Sequence, residues 1–191
     1  MQPKYYGAAA QYNKPGGTGL GTVLKAIGMV VGVIVLISVG FLAYNLLSSG
    51  GKNSAAQLVA REKNLITFMT TNQSTLSSDS FLTINSNAVS LITSDHYNLS
   101  QGLKTTYGLA TVPDEIAKTE VDTTSKKTLD TAKIQSRFDQ VYLGLLREKI
   151  AATQQLARTV QGQSSGTLKT AAETSIKHLT TIDEQLAKLQ L

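Results

Sequence analysis

Twenty-two consecutive residues, Ala26 to Leu47, carry no charged side chain: AIGMVVGVIVLISVGFLAYNLL. Ser38 and Asn45 are its only strongly polar members. At about 1.5 Å of rise per residue, a helix of this length crosses a hydrocarbon core about 30 Å thick. Its whole circumference is apolar, which leaves no polar face to turn to water on the surface of so small a protein. A cleavable signal peptide has a shorter apolar core, about 7–15 residues, followed by small residues at the cleavage site. The exit here, Tyr44-Asn45-Leu46-Leu47, has no such pattern. The run predicts a retained signal anchor, a single transmembrane helix over 26–47.

Charge is spread unevenly about that run. Lys4, Lys14 and Lys25 precede it with no acid among them, whereas all 13 acidic residues lie at or after Glu62, against 15 of the 18 basic ones. The net charge of +5 is thus concentrated in the tail. Flanking cations resist translocation, so the N-terminus is expected in the cytoplasm and the body on the extracytoplasmic side of the cell membrane. Residues 1–25 combine Tyr, Gly and Pro without periodicity and are predicted to form a flexible basic tail. Gly16-Gly17 and Gly19-Gly21 do not make a phosphate loop, since no Lys-Ser/Thr follows and no strand precedes. Lys126-Lys127 is the only adjacent basic pair, too little for the basic stripe of a nucleic-acid binder. Cysteine is absent, which excludes disulfides, thiolate metal sites and a cysteine nucleophile.

Within the span, Gly28 and Gly32 stand four apart, with Leu36 and Gly40 continuing the stripe. Small residues at this spacing let two membrane helices approach closely, and they predict a homodimer through the transmembrane helix.

After a Ser48–Asn53 linker, the apolar period is helical. Ala55, Leu58, Glu62, Leu65 and Met69 share one stripe. A second runs through Leu82, Asn85, Val89, Ile92, His96, Leu99 and Leu103. The third comprises Phe138, Tyr142, Leu145, Ala152 and Leu156, widened by Leu146 and Ile150. The fourth comprises Leu168, Ala172, Ser175, Leu179, Ile182, Leu186 and Leu189. Packed antiparallel helices need such seams. Ser77-Ser78-Asp79 can end one helix and cap the next, Gly162–Gly166 separates the last two, and 108–136 forms a longer link with short helical pieces. These features predict an all-α fold, an up-down-up-down four-helix bundle over 54–191.

Three stretches resemble the bacterial ferritin-like family called domain of unknown function 4142, over roughly residues 54–191. Ser94-Asp95-His96-Tyr97-Asn98, then Leu103 and Thr111-Val112-Pro113, is similar to that family's Asp-His helix running into a proline loop. Arg137-Phe138-Asp139-Gln140-Val141-Tyr142 resembles its Phe-Asp-x-x-Tyr motif. Leu168 to Leu189, centred on His178-Leu179, resembles its closing helix. The resemblance implies a ferritin-like four-helix fold in an exported bacterial protein, and implies little about activity.

A di-iron bundle needs a Glu on each of two helices and Glu-x-x-His on the other two. Here Thr93 stands three before His96 and Ser175 three before His178, so both carboxylates of those pairs are missing. Ile150 occupies a place where the resembling family often carries another histidine. Neither a metal nor a cofactor is expected. A polar cluster remains: counted from the short turns, Glu62, Glu148 and His178 fall at one level, with His96 about 6–9 Å further along the axis. Glu62 and His96 interrupt apolar seams and are read as semi-buried, paired core residues, with a single-metal or small-ligand site as the alternative. Asp95 beside His96 is no catalytic pair, because helix neighbours point about 100° apart. The expected function is non-enzymatic: an anchored cell-envelope bundle that presents a surface to a protein partner or to itself, or serves as a structural component of the cell surface. The alternative is an extracytoplasmic ligand- or metal-binding, sensor-like module, although a 25-residue tail supplies no output domain of its own.

Overall fold

A computed structural model describes residues 50–189. The expected anchor, the tail before it, and Gly28 and Gly32 lie outside the described residues. Among those described, no helix is long and apolar enough to cross a membrane.

The described chain is all-helical: α1 (Gly50–Asn72), α2 (Asp79–Tyr107), α3 (Asp114–Thr119), α4 (Thr124–Ile134), α5 (Phe138–Gln163) and α6 (Gly166–Leu186). Helix α1 starts inside the stretch expected as a linker. The ends follow local chemistry. Ser78 caps α2 by accepting from the Phe81 amide at 3.3 Å. Gly108 closes α2 in the left-handed conformation (φ 69°), its amide donating to the Lys104 carbonyl.

Each long helix packs on two others: α1 on α2 and α5, and α6 on the same two. The diagonals are therefore α1/α6 and α2/α5. The direction of α5 is fixed at both ends. Ser77 and Ser78 donate their amides to the Asp139 carboxylate, and the Ser77 hydroxyl adds a bond of 2.7 Å. This ties the start of α5 to the turn between α1 and α2. At the other end, a Cβ placed on Gly51 would meet the Tyr107 hydroxyl at 2.6 Å and the Gln163 carbonyl at 3.0 Å.

Helices α2 and α5 thus run parallel, and the order is up-down-down-up. This corrects the up-down-up-down expectation. The physical reason is the 108–137 segment, which does not turn back at the lower end but climbs the bundle. Glu120, after α3, is held by Gln57 and Arg61 of α1, and Asp122 pairs with Lys149 of α5. From there α4 carries the chain to the upper end, where α5 begins.

The core divides into two apolar clusters. Leu58, Leu99, Leu156 and Leu168 belong to the lower one. Met69, Ile92, Tyr142, Ile150 and Leu179 belong to the upper one. On every long helix the change from one cluster to the other falls at a buried polar residue.

Candidate functional site: a polar layer between two cores

That boundary consists of Glu62 on α1, Asp95 on α2, Thr153 on α5 and Ser175 on α6, none more than 1% exposed. Each continues its helix's inward stripe, so the same 3–4 spacing that buries leucine above and below buries a polar group here. Removing such groups from water is costly unless they find partners. Ser175 Oγ donates to Glu62 Oε1 at 2.6 Å. His178 Nδ1 lies 2.9 Å from both oxygens of Asp95. Thr153 Oγ1 donates to the Lys149 carbonyl within its own helix. Glu62 Oε2 has no protein partner.

Electrostatics follows from this geometry. Burial pushes the Glu62 carboxyl up to about 8; the Ser175 hydrogen bond opposes the rise and the Asp95 charge adds to it. Burial also raises Asp95, against the hydrogen bond from His178. At neutral pH Glu62 is therefore largely protonated, which removes one of the two carboxylate charges from the layer.

A second diagonal is bridged about three turns above, ten residues along α2 from Asp95 and eleven along α5 from Thr153. Tyr142 OH donates to Asn85 Oδ1 at 2.6 Å, and Asn85 Nδ2 donates to the Met69 carbonyl at 3.4 Å. Burial pushes the Tyr142 phenol well above its ordinary value. Its ring stacks on Phe68 and Phe138 and tilts against Phe81.

The four residues expected to cluster do not assemble. Glu62 is in the layer, and His178 reaches it from outside with a third of its side chain exposed. His96 does not face the core. It is half-buried, with Nδ1 on the Val59 carbonyl at 3.1 Å, and burial lowers its pKa. Glu148 stands apart near Lys149 and Asp122, half-buried, and burial raises its carboxyl. Asp95, passed over in favour of His96, is the acid that enters the centre. Its signal was available: Phe81, Asn85, Ala88, Ile92, Asp95, Leu99 and Gly102 also alternate by four and three.

His96 lines a groove of about 630 Å³ between α1, α2 and the α3 segment, together with Val59, Lys63, Val112, Lys118 and Val121. Its outer wall is fastened by Glu120, which accepts from Gln57 Nε2 and Arg61 Nε, each at 2.6 Å, while Asn64 Nδ2 donates to the Glu120 carbonyl.

The donor set does not fit a carboxylate-bridged metal pair. Helix α5 contributes Ile150 and Thr153 at this depth, and Ser175 stands where the fourth helix would need a carboxylate. No three His, Asp or Glu side chains converge on a point among the described residues. No family model matches this chain, no curated protein does, and no solved structure does.

Proposed function

We propose that this chain is a membrane-anchored, non-enzymatic helical-bundle protein of the bacterial cell envelope, related to the ferritin-like family named above, that works through contact with another protein. One observation carries this reading. The groups best suited to chemistry, Glu62, Asp95 and Ser175, are sealed inside and engaged across helices, while the crossover side offers solvent an open groove bounded by Val59, His96 and Val121. Connectivity with one long crossover is that of ferritin-like bundles. The uncharged run before Gly50 supplies the anchor, and Lys4, Lys14 and Lys25 ahead of it favour an extracytoplasmic body.

The test places a photo-cross-linking side chain at Ala117 in the groove wall of the full chain in cells. A covalent adduct with one protein species is expected, in the fraction that resists carbonate extraction. Adducts absent at Ala117 but present at exposed sites elsewhere would remove the groove from the proposal. Extraction of the protein by carbonate would remove the anchor. Self-association belongs to the same proposal: Gly28→Ile or Gly32→Ile should weaken it, because the added side chain holds two backbones apart.

The unpartnered Glu62 Oε2 favours a second reading, a small-ligand or single-metal module. Metal analysis of protein purified without chelator distinguishes the two: stoichiometric metal that disappears in Glu62→Gln would favour this one.

A further inference from the structure

Helix α4 buries Ser125, Leu129 and Ala132 and turns its other side to water. On that exposed side Lys126 and Lys133 are seven residues apart, as are Lys127 and Ile134, so two stripes run side by side along about 12 Å of helix. Arg137 follows, also exposed. None of these four cations has a side-chain hydrogen bond or ion pair among the described residues, whereas Arg61, Arg147 and Lys149 all do. Asp130 is the one acid of α4 on this side. Three large apolar side chains are exposed among the described residues; Val121 lines the groove described above, and Ile134, the last residue of α4, is 87% exposed beside these cations.

Unpaired cations alone would suit any polyanion. Cations set around an exposed branched apolar residue suit an interface where charge lies beside hydrocarbon, the combination by which peripheral helices settle on membranes. We propose that the exposed face of α4, with Arg137 just beyond its end, docks on a bilayer surface bearing anionic phospholipid. Lys126, Lys127, Lys133 and Arg137 lie against the headgroup phosphates, and Ile134 enters the boundary with the acyl chains. The lysine stems cover apolar surface while their ammonium groups stay at headgroup level. The inference draws support from the proposed anchor, which would hold the face near a bilayer at high effective concentration.

The chain has no cysteine, so Ile134→Cys gives a single attachment point. Full-length protein carrying this substitution and a nitrobenzoxadiazole label is reconstituted with phosphatidylcholine vesicles, alone or mixed with phosphatidylglycerol. In the mixed vesicles the emission should shift to the blue and resist aqueous quenching; in neutral vesicles it should do neither. Each near-surface cation adds roughly a fivefold preference, so Lys126→Gln with Lys133→Gln should lower the docked-to-free ratio by about 25-fold. A label equally aqueous in both vesicles overturns the inference. So does a shift of the same size in both, or a response only to soluble polyphosphate. Failure of the anchor has a separate signature: the protein would not float with neutral vesicles, and charge-dependent floating with the mixed ones would then uphold the α4 face alone.

Discussion

Ser175 Oγ and Glu62 Oε1 are 2.6 Å apart across the α1/α6 diagonal of the bundle. Tyr142 and Asn85, also 2.6 Å apart, bridge the other diagonal. Helices that do not pack on one another are therefore linked through the core by buried polar bonds. Apolar side chains fill space at either register, whereas a hydrogen bond forms at one. The two bridges fix the axial alignment within each diagonal pair, and the Asp95–His178 contact between α2 and α6 ties one pair to the other.

Burial of Glu62 makes stability depend on pH. Its folded value of about 8 stands above the ordinary 4.5, so folding takes up a proton between the two. The stabilisation is whole below about pH 4.5 and is lost as pH rises through about 8. A shift of this size corresponds to a decline on the order of 5 kcal/mol. Asp95, also raised by burial, adds a decline of the same sign. Urea titrations at pH 5 and pH 8 should show wild type weakening strongly, and Glu62→Gln, which keeps the Ser175 acceptor without a titrating proton, weakening much less. Parallel pH profiles for the two proteins would refute the assignment.

Tyr142→Phe tests the other bridge. The ring and its stacking remain, but Asn85 Oδ1 loses its donor in a site that water does not reach. Leaving a buried acceptor unsatisfied costs about 1–3 kcal/mol, and thermal or urea unfolding should register that loss. A change below a few tenths would mean that Asn85 finds another donor.

Two glycines should respond to alanine with opposite signs. A Cβ at Gly102 would sit 2.9 Å from the Leu168 Cα, where backbone must move, so Gly102→Ala should lose about 1–3 kcal/mol. A Cβ at Gly144 meets nothing within 4 Å, and the residue lies inside α5, so Gly144→Ala should gain about 0.5–1 kcal/mol from the stiffer helix. Equal effects would mean that the close α2/α6 approach at Gly102 is absent.

The α2 seam shows how far the sequence could be read. Asn85, Ile92 and Leu99 belong to two possible stripes, one completed by Leu82, Val89, His96 and Leu103, the other by Phe81, Ala88, Asp95 and Gly102. The first, richer in aliphatic side chains, is the seam expected from the sequence; the second is the one buried, with Leu103 alongside. What decides is tertiary. Gly102 lets Leu168 come close, and His178 offers Asp95 a partner from a helix 83 residues away. Existence and extent of the four long helices were legible, because periodicity and caps are local. Direction was not: amphipathic stripes look alike in either sense, and only the docking of Glu120 on Arg61 and Asp122 on Lys149 turns the long link into a crossover. The candidate cluster failed for the same reason, since counting residues from assumed turns placed Glu148 beside Glu62.

The attachment of that crossover leads to the final prediction. Arg61 donates to the Glu120 carboxylate through Nε at 2.6 Å and Nη2 at 3.0 Å, with both side chains mostly buried. Removing one partner of such a pair typically costs about 3–5 kcal/mol when the other stays buried and unpaired. Arg61 need not stay so. Helix α3 is a six-residue element with no fully buried residue, and it can lift away and let water reach the guanidinium. Glu120→Ala should therefore act locally. Amide hydrogen exchange should quicken across residues 110–121, while amides around Ile92, Ile150 and Leu179 keep their protection, and the global unfolding midpoint should fall by less than the full pair cost. The groove containing His96 would lose its outer wall, so cross-linking from Ala117 should fail in the same variant. Uniform loss of protection through all four long helices would show instead that the crossover is inseparable from the core.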